Sequence, residues 1–379
     1  MAIPMRIPKP SWFELFYDLV IAATLGVGTA SMIAEPTWTT IGWVFEMLVA
    51  VFSIWLMTTL AGVLDHGRTA IARGLVLIQM ASIVIATLAL GSDEGLPDWW
   101  GMVAFGVAYL CVGGLFFVRV EATKTDQHES RFISLAALVA GLIGFVGAML
   151  PLPDEGGSGT YAGVIVGVSV LVVMVPVLWG FLPRWFATVL DHEHIEERIG
   201  ALFIVVLGES FIGLVTKLEG KSYLPAPSYF VIVFLVAYAF WRTYFTSVEP
   251  VGLPHTARRA RLWLLGHLFV LLGVVSSVAM LVTRATTGAE SLTPGQNSWT
   301  PLPLFAVVGG MAFLCFLAES RTYAAIHGVA AAALLALAVV ALGNFDPTNN
   351  WTIGIAVVIV IADSVAISLA CRRMTRQEA

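Results

Sequence analysis

Charge is what this chain has least of. Asp, Glu, Lys and Arg make up 12 % of its 379 residues, against the ~25 % usual for soluble domains. Hydrophobic residues reach 58 % and the mean hydropathy is +0.88, which excludes a water-soluble globular fold. A formal net charge of −5 leaves no basic surface for nucleic acid. Cysteine is scarce as well. Cys111, Cys315 and Cys371 lie in or at the ends of apolar runs without C-x-x-C spacing, so packing is the reading rather than a disulfide framework or a zinc site. The chain also lacks a phosphate-binding loop, a G-x-S-x-G elbow and an H-E-x-x-H pair. ATP-driven transport and hydrolysis of the ordinary kinds lose their support, and no cofactor is expected.

What the chain has instead is long apolar runs. A helix needs about 20 apolar residues to cross the hydrocarbon of a bilayer. Twelve stretches qualify: 11–33, 40–63, 70–90, 98–119, 131–150, 160–182, 199–217, 227–248, 260–282, 302–318, 322–342 and 351–371. The tenth is short and abuts the eleventh, which leaves eleven as an alternative. Arg6 and Lys9 precede the first stretch as in a secretory signal, but Glu14 and Asp18 lie inside it. A signal's apolar core is short and uncharged, so this reads as a retained first span. The expectation is an all-α polytopic membrane bundle whose partner is the lipid bilayer.

Orientation follows from the basic residues. With a cytoplasmic N-terminus, Lys217, Lys221 and Arg284 alone face outward and Arg242 stays within a span, while every other Lys and Arg falls inside. The positive-inside rule then puts both termini in the cytoplasm, and an even span count follows.

The two halves echo each other. Asp65-His66 opens the third span and Pro254-His255 the ninth, with the histidines 189 residues apart; Arg131 and Arg321 are 190 apart, and Asp18 and Glu209 are 191 apart. Trp55 and Trp241 sit near the ends of spans two and eight. A common offset points to a six-plus-six duplication, residues 1–190 and 191–379, with parallel halves within one membrane domain.

Few ionisable groups remain inside the spans: Glu14, Asp18, Glu46, Glu209, Arg242, His267, His327 and Asp363. Glu14 and Asp18, four apart, share one face of a helix. At 1.5 Å per residue, Asp18, Arg242, His267 and Asp363 all lie about 9–12 Å from the cytoplasmic ends of their spans, and Glu209 about 15 Å in. Glu46 sits toward the outer side. Ionisable groups at such depths are costly and face a bundle interior or a watery cavity. Arg242 is the one cation left to serve Asp18, Glu209 or Asp363, and one arginine cannot balance three carboxylates. A proton, a metal ion or a cationic ligand is needed as well.

Each group also has a plainer role. Glu14 suits a helix start, Arg242 a structural counter-ion, and His267 and His327 hydrogen-bonded structural histidines. Ser210 gives Glu209 a polar neighbour. His192-Glu193-His194 could bind a metal but reads as a charged cytoplasmic linker. Trp12, Trp38, Trp99, Trp100, Trp185, Trp299 and Trp351 fall at span ends, as an interfacial belt does. Gly106 to Gly113-Gly114, Gly141-x-x-Gly144-x-x-Gly147 and Gly309-Gly310 fit close helix packing.

Three blocks carry a resemblance. Glu14-Leu-Phe-Tyr-Asp18-Leu-Val, then Glu197-Arg198 with Leu207-Gly208-Glu209-Ser210, then His267 with Gly273 resemble the bacterial low temperature requirement A (LtrA) proteins. The resemblance implies a multi-pass inner-membrane protein and directs attention to Glu14, Asp18, Arg198, Glu209 and His267. Arg198 on its own reads as a positive-inside anchor at the start of span seven.

The first expectation is a transport protein, with a channel as its variant. Two six-helix halves enclose a polar path for a small solute or ion, and protons couple through Asp18, Glu209 and His267. The alternative is an intramembrane enzyme whose buried carboxylic acids act on a lipid or isoprenoid. A structural or signalling protein with inert polar pairs is the third.

Overall fold

The computed structural model describes residues 11–64, 70–90, 97–122, 127–150, 158–178, 192–218, 227–287, 300–343 and 351–378. Arg6, Lys9, Asp65, His66, Arg68, Lys124, Arg184, Trp185, Lys221 and Trp299 lie outside these residues, as does the side chain of Ser210.

The described residues are helical, with no strand among them. Helices α1 (Trp12–Ala34), α2 (Trp38–Leu64), α3 (Ala70–Leu90), α4 (Asp98–Ala122), α5 (Gln127–Met149) and α6 (Ser158–Leu178) come first. After them run α7 (His192–Leu218), α8 (Pro227–Thr243), a π-helical segment (Tyr244–Val248), α9 (Ala257–Thr287), α10 (Pro301–Leu317), α11 (Arg321–Gly343) and α12 (Trp351–Glu378). Over the described residues each apolar run of the sequence lies on one of these helices, that of 227–248 on α8 with the π segment. Among the described residues, nine helices are long and apolar enough to cross a membrane; Tyr161–Pro176 and Pro301–Leu317 are shorter apolar helices.

Their outward faces are apolar too. Leu142, Leu171, Val231, Phe316, Val329 and Val358 are large, exposed and hydrophobic, and many others like them line the helices. Apolar surface on that scale suits lipid rather than water. Trp12, Trp38, Trp99 and Trp100 are exposed at or next to helix starts, where ring and N–H bridge chain and headgroup.

The chain forms two compact units. One comprises Met1–Val27, Trp43–Leu202 and Thr256–Arg261, the other Gly28–Gly42, Phe203–His255 and Leu262–Ala379. In the first, α4 packs on α3, α5 and α6. A Cβ on Gly106 would lie 2.8 Å from Gly141 O, and one on Gly144 would lie 2.7 Å from Met102 O. Only glycine lets these two backbones come so close, the device expected where apolar burial does not drive helices together.

In the second unit α12 packs on α8 and α11, and α10 on α11. The turn joining α10 to α11 explains how so short a connection separates two helices. Ser320 N–H donates to Cys315 O at 2.9 Å and Glu319 N–H to Phe316 O at 3.1 Å. That is a Schellman cap, and its left-handed position is held by Glu319 at φ 64° where glycine is usual. Upstream, α8 continues into the π segment, closed by Glu249 N–H on Tyr244 O at 3.1 Å. Such wide turns cluster at functional sites.

Candidate functional site

In the first unit the site begins at the start of α1. Ser11 N–H donates to Glu14 Oε2 at 2.6 Å, and Glu14 N–H donates back to Ser11 Oγ at 3.3 Å. This reciprocal capping box satisfies two helix-end donors and fixes the Glu14 carboxylate. Its other oxygen, Oε1, lies 3.3 Å from His194 Nε2 and 3.6 Å from Arg198 Nη1. Glu14 therefore serves as a helix cap and as an ion-pair partner at once.

One turn further in, Asp18 is 0 % exposed. Its Oδ1 accepts from Arg198 Nη2 at 2.6 Å and from Trp55 Nε1 at 2.7 Å. The guanidinium carbon of Arg198 stands 5.7 Å from the Trp55 ring centroid, within cation–π range. Asp18 and Arg198 each lie six residues past a helix start, from Trp12 and from His192, so both are about 9 Å along their helices. Asp18 Oδ2 and Arg198 Nε are buried and hydrogen-bond to nothing among the described residues.

The polar interior continues along α2. Thr58, three residues beyond Trp55, donates to Gln79 Oε1 at 2.9 Å, and Gln79 Nε2 donates to Ala108 O at 3.3 Å. Ser53 Oγ and Tyr109 Oη are 2.9 Å apart. All four side chains are buried.

The second unit holds two histidine sites, both hung on the π segment. Tyr244 Oη lies 3.0 Å from His267 Nε2, and His267 Nδ1 lies 2.8 Å from Trp263 O. A carbonyl can only accept, so Nδ1 carries the hydrogen. Nε2 then accepts from the Tyr244 hydroxyl, and one neutral tautomer satisfies both partners. Three residues on, Ser247 Oγ stands 2.9 Å from His327 Nε2, while His327 Nδ1 stands 2.9 and 3.1 Å from the two oxygens of Asp363.

The structure redistributes the residues expected from sequence. Asp18 takes Arg198 as its cation, and Asp363 takes His327. Arg242, the expected counter-ion, is half-buried and makes no ion pair among the described residues. The reason is where α7 begins. Its first turns are too charged to read as a span, yet they are helical, which carries Arg198 a turn and a half into the helix rather than leaving it at a span end. His194, read as part of a charged linker, is buried on that same stretch against Glu14. Glu209 is half-buried and makes no ion pair among the described residues, and Glu46 is exposed, its carboxylate over Gly163. His267 fits the structural role better than proton transfer, because both of its nitrogens are already committed.

Trp55 as a partner, Ser247 and the pairing of His327 are not legible in the sequence. Nothing local marks them. A tryptophan, a serine or a histidine alone in an apolar run has no spacing signal.

A family model described as bacterial low temperature requirement A protein (LtrA) matches residues 9–370. No curated protein matches the chain.

Proposed function

The chain belongs to the bacterial low temperature requirement A family, and on that premise we propose that it is a transport protein of the inner membrane. It moves a small solute or ion with proton coupling. In this reading it spans the bilayer twelve times, as two parallel six-helix halves (1–190 and 191–379), with both termini in the cytoplasm.

One observation carries the proposal. Glu14 and Asp18, on a helix long and apolar enough to cross a membrane, form a single cluster with Arg198 and His194 of α7. Two carboxylates share one guanidinium, so the cluster is neutral only when a proton on His194, a proton on a carboxylate or another cation completes it. Isolated charge is expensive away from water, and the cluster therefore exchanges a cation rather than standing inert. Asp18 is sealed, but the Glu14 side chain is 22 % exposed and supplies the entry. Arg198 touches both acids, which lets occupancy at one alter the hold on the other.

The test is proton or solute movement in proteoliposomes loaded with a pH-sensitive dye and driven by an imposed gradient. Wild-type protein should move protons together with its solute. Asp18→Asn should fold and lose at least about tenfold of that flux, equivalent to about 1.4 kcal/mol in the rate-limiting step, and Glu209→Gln should lower it too. Unchanged flux in both folded variants contradicts the proposal. Turnover of a supplied lipid without any gradient would favour an intramembrane enzyme instead.

A further inference from the structure

The Ser247–His327–Asp363 chain in the second unit lies outside the cluster just described. Its order resembles a nucleophile–base–acid triad, but Ser247 is 0 % exposed and its hydroxyl is spent: Oγ donates to Thr243 O at 2.8 Å. A serine hydroxyl has one hydrogen. While it points at Thr243 O, the 2.9 Å contact with His327 Nε2 requires that Nε2 carry the hydrogen and Ser247 Oγ accept it.

That orientation of the hydroxyl sets the proton count of the neighbour. With hydrogen on Nε2, the two contacts from Nδ1 to Asp363 need one more proton between imidazole and carboxylate. Either Nδ1 holds it, as imidazolium facing carboxylate, or Asp363 holds it and donates to Nδ1. In both arrangements the pair is neutral overall. The alternative has His327 neutral with hydrogen on Nδ1, the Ser247 hydroxyl turned toward Nε2, and Asp363 ionised. This leaves a net negative charge among side chains that are 0 % and 4 % exposed, with no second cation bonded to Asp363 among the described residues, an environment that strongly disfavours it.

We infer that Ser247, His327 and Asp363 form a one-proton binding site whose occupancy is read by the Ser247 hydroxyl. Occupied, the hydroxyl bonds to Thr243 O, where α8 passes into the π segment. Emptied, it turns to His327 Nε2 and releases that carbonyl. The exchange balances: the Nε2 proton passes to a water base, the hydrogen between Nδ1 and Asp363 ends on Nδ1 and leaves a carboxylate, and the serine hydrogen rotates to the vacated lone pair. No covalent bond between heavy atoms forms or breaks. The reading of proton-coupled transport gives this site its use, whereas the site itself rests on the hydrogen-bond geometry alone.

Other titratable groups stand on the elements packed around it, and Arg242 of α8, next to Thr243, makes no ion pair among the described residues. From α10, Cys315 Sγ donates to Ser247 O at 3.6 Å. From α11, Tyr323 lies one turn before His327 on the same face; α12 contributes Cys371, and Tyr244 on the π segment is engaged with His267. His267 offers the contrast within one unit. Its ring faces a carbonyl that can only accept and a phenol that can donate, whereas the His327 ring faces a carboxylate and a serine hydroxyl that donates to Thr243 O.

The experiment is nitrogen NMR of the full chain in lipid nanodiscs with the histidine rings labelled. His327→Gln identifies the His327 signals among those of the 7 histidines; if that variant does not fold, Asp363→Asn marks them by their shift. The site predicts a protonated Nε2 on His327 in the wild-type protein, with a protonated Nδ1 or a carboxylic-acid band that Asp363→Asn removes from the infrared spectrum. A bare Nε2 beside a protonated Nδ1 at every pH at which the protein stays folded overturns the assignment, even if flux is observed. A protonated Nε2 in a protein that moves nothing across liposomes keeps the site and removes only the transport reading.

Discussion

Replacing Arg198 with methionine should cost about 3–5 kcal/mol, the usual penalty for removing one partner of a buried ion pair. The thermal midpoint of the purified protein in detergent would fall accordingly. Arg198 is 2 % exposed and supplies the cation to Asp18 at 2.6 Å, with Glu14 beside it at 3.6 Å. Methionine fills most of the space and takes away the charge. Asp18 then keeps the Trp55 N–H but loses its counter-ion at 0 % exposure. Replacing both partners, as Asp18→Leu with Arg198→Met, should recover most of the loss, because apolar pairs of matching volume are often as stable as the ion pair they replace. A midpoint unchanged by Arg198→Met alone would mean that the pair does not form. Equal losses in the single and double variants would mean that shape, not charge, is at stake.

Trp55 is the second large effect. It is fully buried, and Trp55→Ala should cost about 3–5 kcal/mol from the cavity alone. Trp55→Phe isolates the polar part. It keeps a ring beneath Arg198 and removes only the Nε1–H donor to Asp18, a hydrogen bond to a charged group worth about 1.5–3 kcal/mol. Combined with Asp18→Asn, the phenylalanine variant should cost less than it does in the wild-type background, since the bond it deletes is then no longer charge-assisted. Midpoints measured over the four proteins give that coupling. A coupling of zero would show that Trp55 supports the helices without holding the carboxylate.

The helices were legible because a run of apolar residues long enough to span hydrocarbon reads directly as helix, and over the described residues each such run is helical. Asp18 was legible as well, a carboxylate too deep in its run to be a helix cap. Its partner was not. Arg198 is 180 residues away in the chain, and the charged turn before it hides the start of α7 from any hydropathy window. His327 and Ser247 were silent for a different reason. They meet through the π segment, whose wider turn has no periodic signature in sequence. Arg242 drew attention by being alone in its span, yet the cation that matters stands at a span's charged edge. Residue type and depth show where charge must be balanced, whereas the pairing depends on helix contacts that no short spacing encodes.

Flux through the doubly apolar protein tests the central claim most directly, because it separates charge that works from charge that merely holds. Asp18→Leu with Arg198→Met should remain folded in proteoliposomes, with a thermal midpoint near that of the wild type, and should move neither protons nor solute under an imposed gradient. If that folded protein still carries a gradient-driven flux equal to the wild type's, the buried pair is structural and the transport account based on it is wrong.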